Sequence, residues 1–140
     1  MRFMVLVKAN RNSEAGVLPD SSLLAEMGAF NEELAKAGVL LAGEGLHPSA
    51  KGARVRFSDG ASFVTRGPFP GTEQLVAGFW VWRTASLDDA IAWLRRAPFK
   101  DGEVEIRPVL EADDFGAELT PELREREERL RVQGTSSGGR

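Results

Sequence analysis

His47 is the one histidine of the chain and follows the segment Gly43-Glu44-Gly45-Leu46. Imidazole is the side chain best suited to moving protons near neutral pH, and Glu44, three residues earlier, is placed to orient it. Glycines at 43 and 45 would let a ligand approach the backbone. A site of this kind would do cofactor-free acid–base work, such as an isomerisation, an elimination or a lactone conversion. The plainer alternative is an ordinary loop histidine, because a lone His without metal-ligand company does not identify a site. A second candidate is the loop Gly67-Pro68-Phe69-Pro70-Gly71. It can line a pocket, with Arg66 binding an anionic ligand and with Phe69 and Glu73 beside it. Its plainer alternative is a stiff turn in which proline fixes φ and Phe69 plugs the mouth of the fold. Trp80, Trp82 and Trp93 have the spacing of core aromatics on a central strand and a helix rather than of a stacking platform. Arg54 and Arg56 alternate on an exposed strand and read as a solvated face.

Several chemistries are excluded by residue type. Without cysteine there is no disulfide and no thiolate nucleophile, a composition compatible with a cytoplasmic protein. One histidine and no cysteine leave only carboxylates for a metal, so no metal and no cofactor is expected. Phosphate-cradling, dinucleotide-binding and nucleophile-elbow glycine motifs do not occur. A net charge of −3 argues against a nucleic-acid partner, which normally requires a basic face. No stretch approaches the ~20 apolar residues needed to span a bilayer, and the N-terminal apolar run is too short for a signal-peptide core.

The elements that must position these residues follow from periodicity. Phe3 to Val7 reads as a first strand. Residues 9–19 read as a polar loop, and Asp20, Ser21 and Ser22 offer caps for a helix. Leu23, Met27, Phe30 and Leu34 fall on one face of that helix, and Gly38 closes it. Val39 to Ala42 reads as a buried strand, and 53–57 with 61–65 as a hairpin turning at Asp59-Gly60. Leu75 to Trp82 is apolar on both faces, with Val76, Gly78, Trp80 and Trp82 on one and Ala77, Phe79 and Val81 on the other. Such a strand belongs in the middle of a covered sheet. Ser86 caps a second helix with Leu87, Ala90, Ile91 and Leu94 toward the core, and Val104 to Val109 is a last strand. The order is β-α-β, an inserted hairpin, then β-α-β: an α+β, ferredoxin-like split βαβ sheet with both helices on one face. Two helices cover one side only, so the apolar second face predicts a homodimer closed sheet to sheet.

Arg66-Gly67-Pro68-Phe69, Thr72 and Gly78-Phe79-Trp80 together resemble the signature of the YCII-related proteins called the DGPF family. Ser13-Glu14-Ala15-Gly16, residues 30–34 and 37–46, 86–93 and 111–116 are similar to that family as well. The resemblance implies a dimeric α+β barrel and little defined chemistry. A distant branch of the superfamily handles lactone-type molecules, and genes of the family often lie beside extracytoplasmic-function sigma factors, which points to a regulatory partner. The chain departs from the pattern at three loop carboxylates, with Arg66, Gly71 and Gln74 in their places, while Glu73 stands where lysine is usual.

The expected organisation is an α+β domain over 1–117, a charged helix over 118–132 and a disordered tail over 133–140. Two functions remain open. One is a small-molecule-binding homodimer, regulatory rather than catalytic. The other is an acid–base enzyme using His47 and Glu44, with Arg66, Phe69 and Glu73 at the ligand. Loss of the loop carboxylates favours the first reading and the histidine-bearing glycine segment favours the second.

Overall fold

A computed structural model describes residues 1–136 and divides into two compact units, Met1–Pro108 and the chain from Val109 onward. In the first unit six strands are formed: β1 (Arg2–Lys8), β2 (Leu40–Gly45), β3 (Ala53–Ser58), β4 (Ala61–Arg66), β5 (Val76–Arg83) and β6 (Val104–Pro108). Helices α1 (Arg11–Glu14), α2 (Ser21–Lys36) and α3 (Leu87–Leu94) accompany them. Four strands make one sheet in the order β2-β5-β1-β6, every neighbour antiparallel. With the hairpin set aside, this is the ferredoxin-like split βαβ arrangement that the sequence implies.

The hairpin forms a separate two-stranded sheet with Ser58 opposite Ala61, leaving two turn residues. Asp59 and Gly60 both have positive φ, 49° and 79°, which is why an Asp-Gly pair closes it. Residues 9–19 are not wholly loop. Asn10 and Ser13 exchange side-chain and backbone hydrogen bonds in a capping box that supports the single turn of α1.

One face of the sheet carries the core. Register pairs Phe3 with Trp82, Val5 with Trp80 and Val7 with Gly78, so these residues share the face toward α2 and α3. Phe30 and Leu34 of α2, Val39 just before β2 and Ala90 of α3 complete the buried cluster. Asp20 caps α2 by accepting from the Leu23 N–H, and Ser86 caps α3 by accepting from the Asp89 N–H. The apolar stripe of α3 is only partly used: Ala90 is buried, whereas Leu87 and Ile91 are 44% and 40% exposed. These two were expected to face the core. They face outward because β6, the last strand under α3, is the edge of the sheet. The opposite face of the sheet presents Met4, Leu6, Phe79 and Val81, all half-buried.

In the second unit a 3₁₀ segment over Ala112–Glu118 precedes α4 (Pro121–Ser136). Thr120 caps α4 through the Leu123 N–H, and Arg124 and Arg131 reach back to Asp113 and Glu111 at 2.9 and 3.7 Å. The helix runs to Ser136 rather than ending at 132, and residues 137–140 of the expected tail lie outside the described residues. No helix among the described residues is long and apolar enough to cross a membrane.

Trp80 is buried at the centre of this cluster. Trp80→Ala is expected to cost roughly 3–5 kcal/mol, as for a large aromatic removed from a packed core, measured by urea unfolding. A loss below about 1 kcal/mol would place the indole outside the core.

Candidate functional site

Gly43, Gly45 and Gly78 lie together on the helix-facing side of the sheet, where register sets Gly43 against Trp80 and Gly45 against Gly78. Of the three, Gly45 leaves open space between the sheet and α2, while the space over Gly43 is taken by the Trp80 indole. The resulting cleft of about 390 Å³ has this glycine floor, apolar walls from Leu23, Leu24, Met27 and Phe99, and Asn31 at its side.

Each glycine has a different reason. A Cβ on Gly43 would lie 2.6 Å from Cδ1 of Trp80, so the indole can rest over β2 only if residue 43 has no side chain. A Cβ on Gly78 would press on the Glu44 carbonyl at 3.0 Å. A Cβ on Gly45 would meet nothing within 4 Å; it would enter the cleft.

The indole Nε1 of Trp80 donates to Oδ1 of Asn31 at 2.9 Å, which fixes the amide plane. With its oxygen engaged, Asn31 keeps the two Nδ2 donors for another partner. The edge of β2 adds backbone groups. Leu46 N–H donates to Ala77 C=O, so the bonds to β5 fall on residues 42, 44 and 46. The N–H and C=O of Gly43 and Gly45 therefore point outward from the sheet, bare of side chains, beside the cleft. A second, more polar cleft of about 470 Å³ adjoins it and shares Val7, Leu23, Ala77 and Phe99. Its charged lining includes Lys8, Asp20, Glu26 and Asp101.

The residues singled out from sequence are not gathered at one point. Glu44 lines the cleft, but it pairs with Phe79 on the opposite face of the sheet, so it contributes backbone rather than carboxylate. His47 is exposed beyond the strand end and shares no hydrogen bond or ion pair with Glu44. The expected orientation of His47 by Glu44 fails because a carboxylate inside the ladder points across the sheet, while His47 lies past the last ladder bond at Leu46. Arg66 ends β4 opposite Ala53, and Glu73 is exposed in a 3₁₀ turn over Thr72–Gln74.

Phe69 belongs to a separate network. Its N–H donates to Ser49 Oγ at 3.0 Å, and that hydroxyl donates to Glu14 Oε2 at 2.6 Å. Glu14 Oε1 also accepts from the Ser49 N–H at 3.0 Å. A hydroxyl that both accepts and donates relays the order of α1 into the proline loop. Gly67 lies directly against the Ser49 carbonyl, where any Cβ would collide with it. Above the loop, the guanidinium of Arg54 stands 4.0 Å from the Phe69 ring centre, so Arg54 rather than Arg66 makes the cationic contact. Glu14, Ser49 and Asn31 were missed from sequence. Their partners are 35, 20 and 49 residues away, and no local pattern carries such pairings.

Among the described residues no group of three or more His, Cys, Asp or Glu is placed to hold a metal.

Gly43 and Gly45 differ in what an added methyl would meet. Gly43→Ala should cost roughly 1–3 kcal/mol, because the indole must be displaced from a packed position. Gly45→Ala should be neutral or stabilising by a few tenths of a kcal/mol, having space for its methyl and a less flexible unfolded chain. Paired denaturation curves test this, and equal costs at the two positions would refute it.

A family model described as YCII-related domain matches residues 1–113. An uncharacterized protein of Rhizobium meliloti is 31% identical over 93 residues, covering 64% of this chain and 75% of that relative. Among solved structures, 5-chloro-2-hydroxyhydroquinone dehydrochlorinase from Burkholderia phenoliruptrix, in complex with 2,5-dihydroxybenzoquinone, is 17% identical. The likeness covers 81% of this chain and 99% of that one, at a TM-score of 0.38.

Proposed function

The chain belongs to the family of YCII-related domains, and we propose that it is a small-molecule-binding member whose ligand lies between α2 and the edge of β2. The observation that carries this reading is the glycine floor. Gly45 has no packing reason to lack a side chain, yet its absence keeps the cleft open and its backbone groups reachable. Apolar walls suit a flat, largely apolar ligand. Asn31 Nδ2 and the outward N–H groups of Gly43 and Gly45 suit a carbonyl or carboxylate on it.

The acid–base alternative has less support, because the imidazole of His47 and the carboxylate of Glu44 do not meet. Binding with a regulatory rather than a catalytic outcome is the reading we adopt. Its working unit is a homodimer closed through the sheet face that bears Met4, Leu6, Phe79 and Val81, which two helices on the other side leave uncovered.

Benzamide, a flat ring with one carbonyl and one amide nitrogen, is a suitable first probe. It is expected to quench tryptophan emission saturably and to shift the Gly43 and Gly45 amide resonances. Gly45→Val should abolish both effects while leaving the unfolding midpoint near wild type. His47→Ala should leave binding intact and change stability by no more than about 0.5 kcal/mol, as for a surface site. Binding that survives Gly45→Val but is lost in His47→Ala would move the site to the histidine loop. For the oligomer, light scattering at micromolar concentration should give twice 15.2 kDa. A monomer would remove the dimer from the proposal.

A further inference from the structure

Building on the reading of the glycine-floored cleft as a ligand site, we propose that this cleft is half of a longer site. Its ligand is a flat ring joined to a short arm bearing both an ammonium and a carboxylate, the build of an aromatic amino acid. One row of the sheet carries the site. Register sets Gly45 opposite Gly78, Gly78 opposite Val7 and Val7 opposite Val104, so the four residues cross β2, β5, β1 and β6 on the helix-facing side. Four strands at a spacing of about 4.8 Å make this row roughly 14 Å long.

Gly45, Gly78 and Val7 line the apolar cleft, and Val7 and Val104 line the polar one of about 470 Å³. Leu23, Ala77 and Phe99 line both, so the two recesses meet along a shared boundary. Phe99 also packs edge-on to Trp80, which ties that boundary to the core. The trough lies on the side of the sheet that faces α2, away from the face proposed to meet a second copy, so its lining comes from one chain.

The two halves differ in chemistry. Over the glycines, Leu24, Met27 and Trp80 leave a slot for a ring. Over the valines the lining is polar, with Asn10, Asp20, Ser22, Glu26, Lys100 and Asp101. Lys8 lines it too, but its ammonium lies 3.8 Å from Glu105 on the other face of the sheet, so it offers main chain only. Glu26, Lys100 and Asp101 form no ion pair or side-chain hydrogen bond among the described residues. Asn10 Oδ1 accepts from the Ser13 N–H, which leaves Nδ2 as a donor. Unpaired charges of both signs, from α2 and from the loop before β6, therefore surround one recess. An apolar arm would strip water from these groups without replacing it. An arm with one charge would meet one sign and oppose the other. An arm with both meets Glu26 or Asp101 through its ammonium, and Lys100 and Asn10 through its carboxylate.

The test uses the full chain labelled with ¹⁵N and compounds that share one ring: benzamide, para-propylbenzamide, para-(aminoethyl)benzamide, para-carbamoylphenylpropanoate and para-carbamoyl-L-phenylalanine. Tryptophan quenching reads affinity and the amide spectrum reads place. The amino acid is expected to bind on the order of ten-fold more tightly than benzamide, the scale of two partly exposed ion pairs. It should shift the Glu26, Asp101 and Gly102 amides together with those of Gly43 and Gly45. The propyl compound should show no such gain, and the two singly charged compounds should fall between. Ser22→Trp, at an exposed helix position, should fill the polar recess and cancel the gain while the unfolding midpoint stays near wild type. Lys100→Glu should leave the amino acid no better bound than para-(aminoethyl)benzamide. Equal affinity for benzamide and the amino acid would overturn the charged arm and leave the cleft reading in place. A gain carried wholly by one charge, or one that survives Ser22→Trp, would overturn it as well. Unmoved Gly43 and Gly45 resonances with every compound would overturn both the arm and the cleft.

Discussion

The contact between the Trp80 indole and the backbone of Gly43 constrains everything built around it. Trp80 sits on an inner strand, edge-on to Phe30 at 5.8 Å and to Phe99 at 6.0 Å, and tilted against Trp82 at 5.4 Å. An indole this large fits between β5 and α2 only by lying over the neighbouring strand, and it can do so only where that strand has no side chain. Burial also obliges its N–H to find a partner, which Asn31 supplies from α2. One side chain thereby sets the spacing of helix and sheet and clears the floor of the cleft. Trp82, one pleat along, shows the alternative. Its Nε1 is buried with no partner among the described residues, an omission of the kind that costs about 1–3 kcal/mol.

The glycine-floored cleft and the groove beside α3 both sit at sheet edges for a common geometrical reason. The split βαβ order places β5 and β1 in the middle and β2 and β6 outside, while the two helices lie over the middle. Along an edge strand of an antiparallel sheet, every second residue turns its N–H and C=O outward. On β2 those residues are Gly43 and Gly45, and on β6 they are Val104 and Ile106. The two edges differ in what stands over them. The sixteen residues of α2 bring Leu23, Leu24 and Met27 over glycines, which makes a recess suited to a small molecule. The eight residues of α3 stand beside valine and isoleucine, which makes an open apolar groove. One architecture thus yields two kinds of recess, with the difference set by side-chain size at four strand positions.

What could be read from sequence and what could not divide along the range of the interactions. Strand and helix order, the Asp59-Gly60 turn, the caps at Asp20 and Ser86 and the two faces of β5 are encoded within a few residues of where they act. The sheet edge is not. Leu87 and Ile91 have the period of a core-facing stripe, and nothing near them in the chain says that the sheet stops at β6. The pairing of Glu44 with His47 rested on sequence proximity, and the ladder register separates them. Glycines 43 and 45 were legible as places where a ligand could approach. Why each is glycine was not, since Trp80 lies far along the chain and only register brings it over Gly43. Arg54 on Phe69 and Glu14 on Ser49 were unreadable for the same reason.

The proline loop, where the family resemblance is concentrated, is held by contacts within the chain. Gly67 is pressed against the Ser49 carbonyl, the Phe69 N–H is held by Ser49 Oγ, and the Phe69 ring is covered by Arg54. None of these contacts uses the three positions where carboxylates are replaced. Arg66 and Gln74 are exposed, so an acid there could be exchanged without disturbing the Ser49 network. Gly71 has φ 77°, a left-handed conformation that glycine adopts without the strain a glutamate would carry. The replacements therefore leave the loop's internal bonding intact and relieve the backbone at one point, which is what a scaffold role permits. With the loop held by its own contacts and His47 apart from Glu44, the outer edges of β2 and β6 are where backbone groups turn away from the sheet. At Gly45, Leu87 and Ile91, a missing or an exposed apolar side chain has no explanation in the packing of the domain.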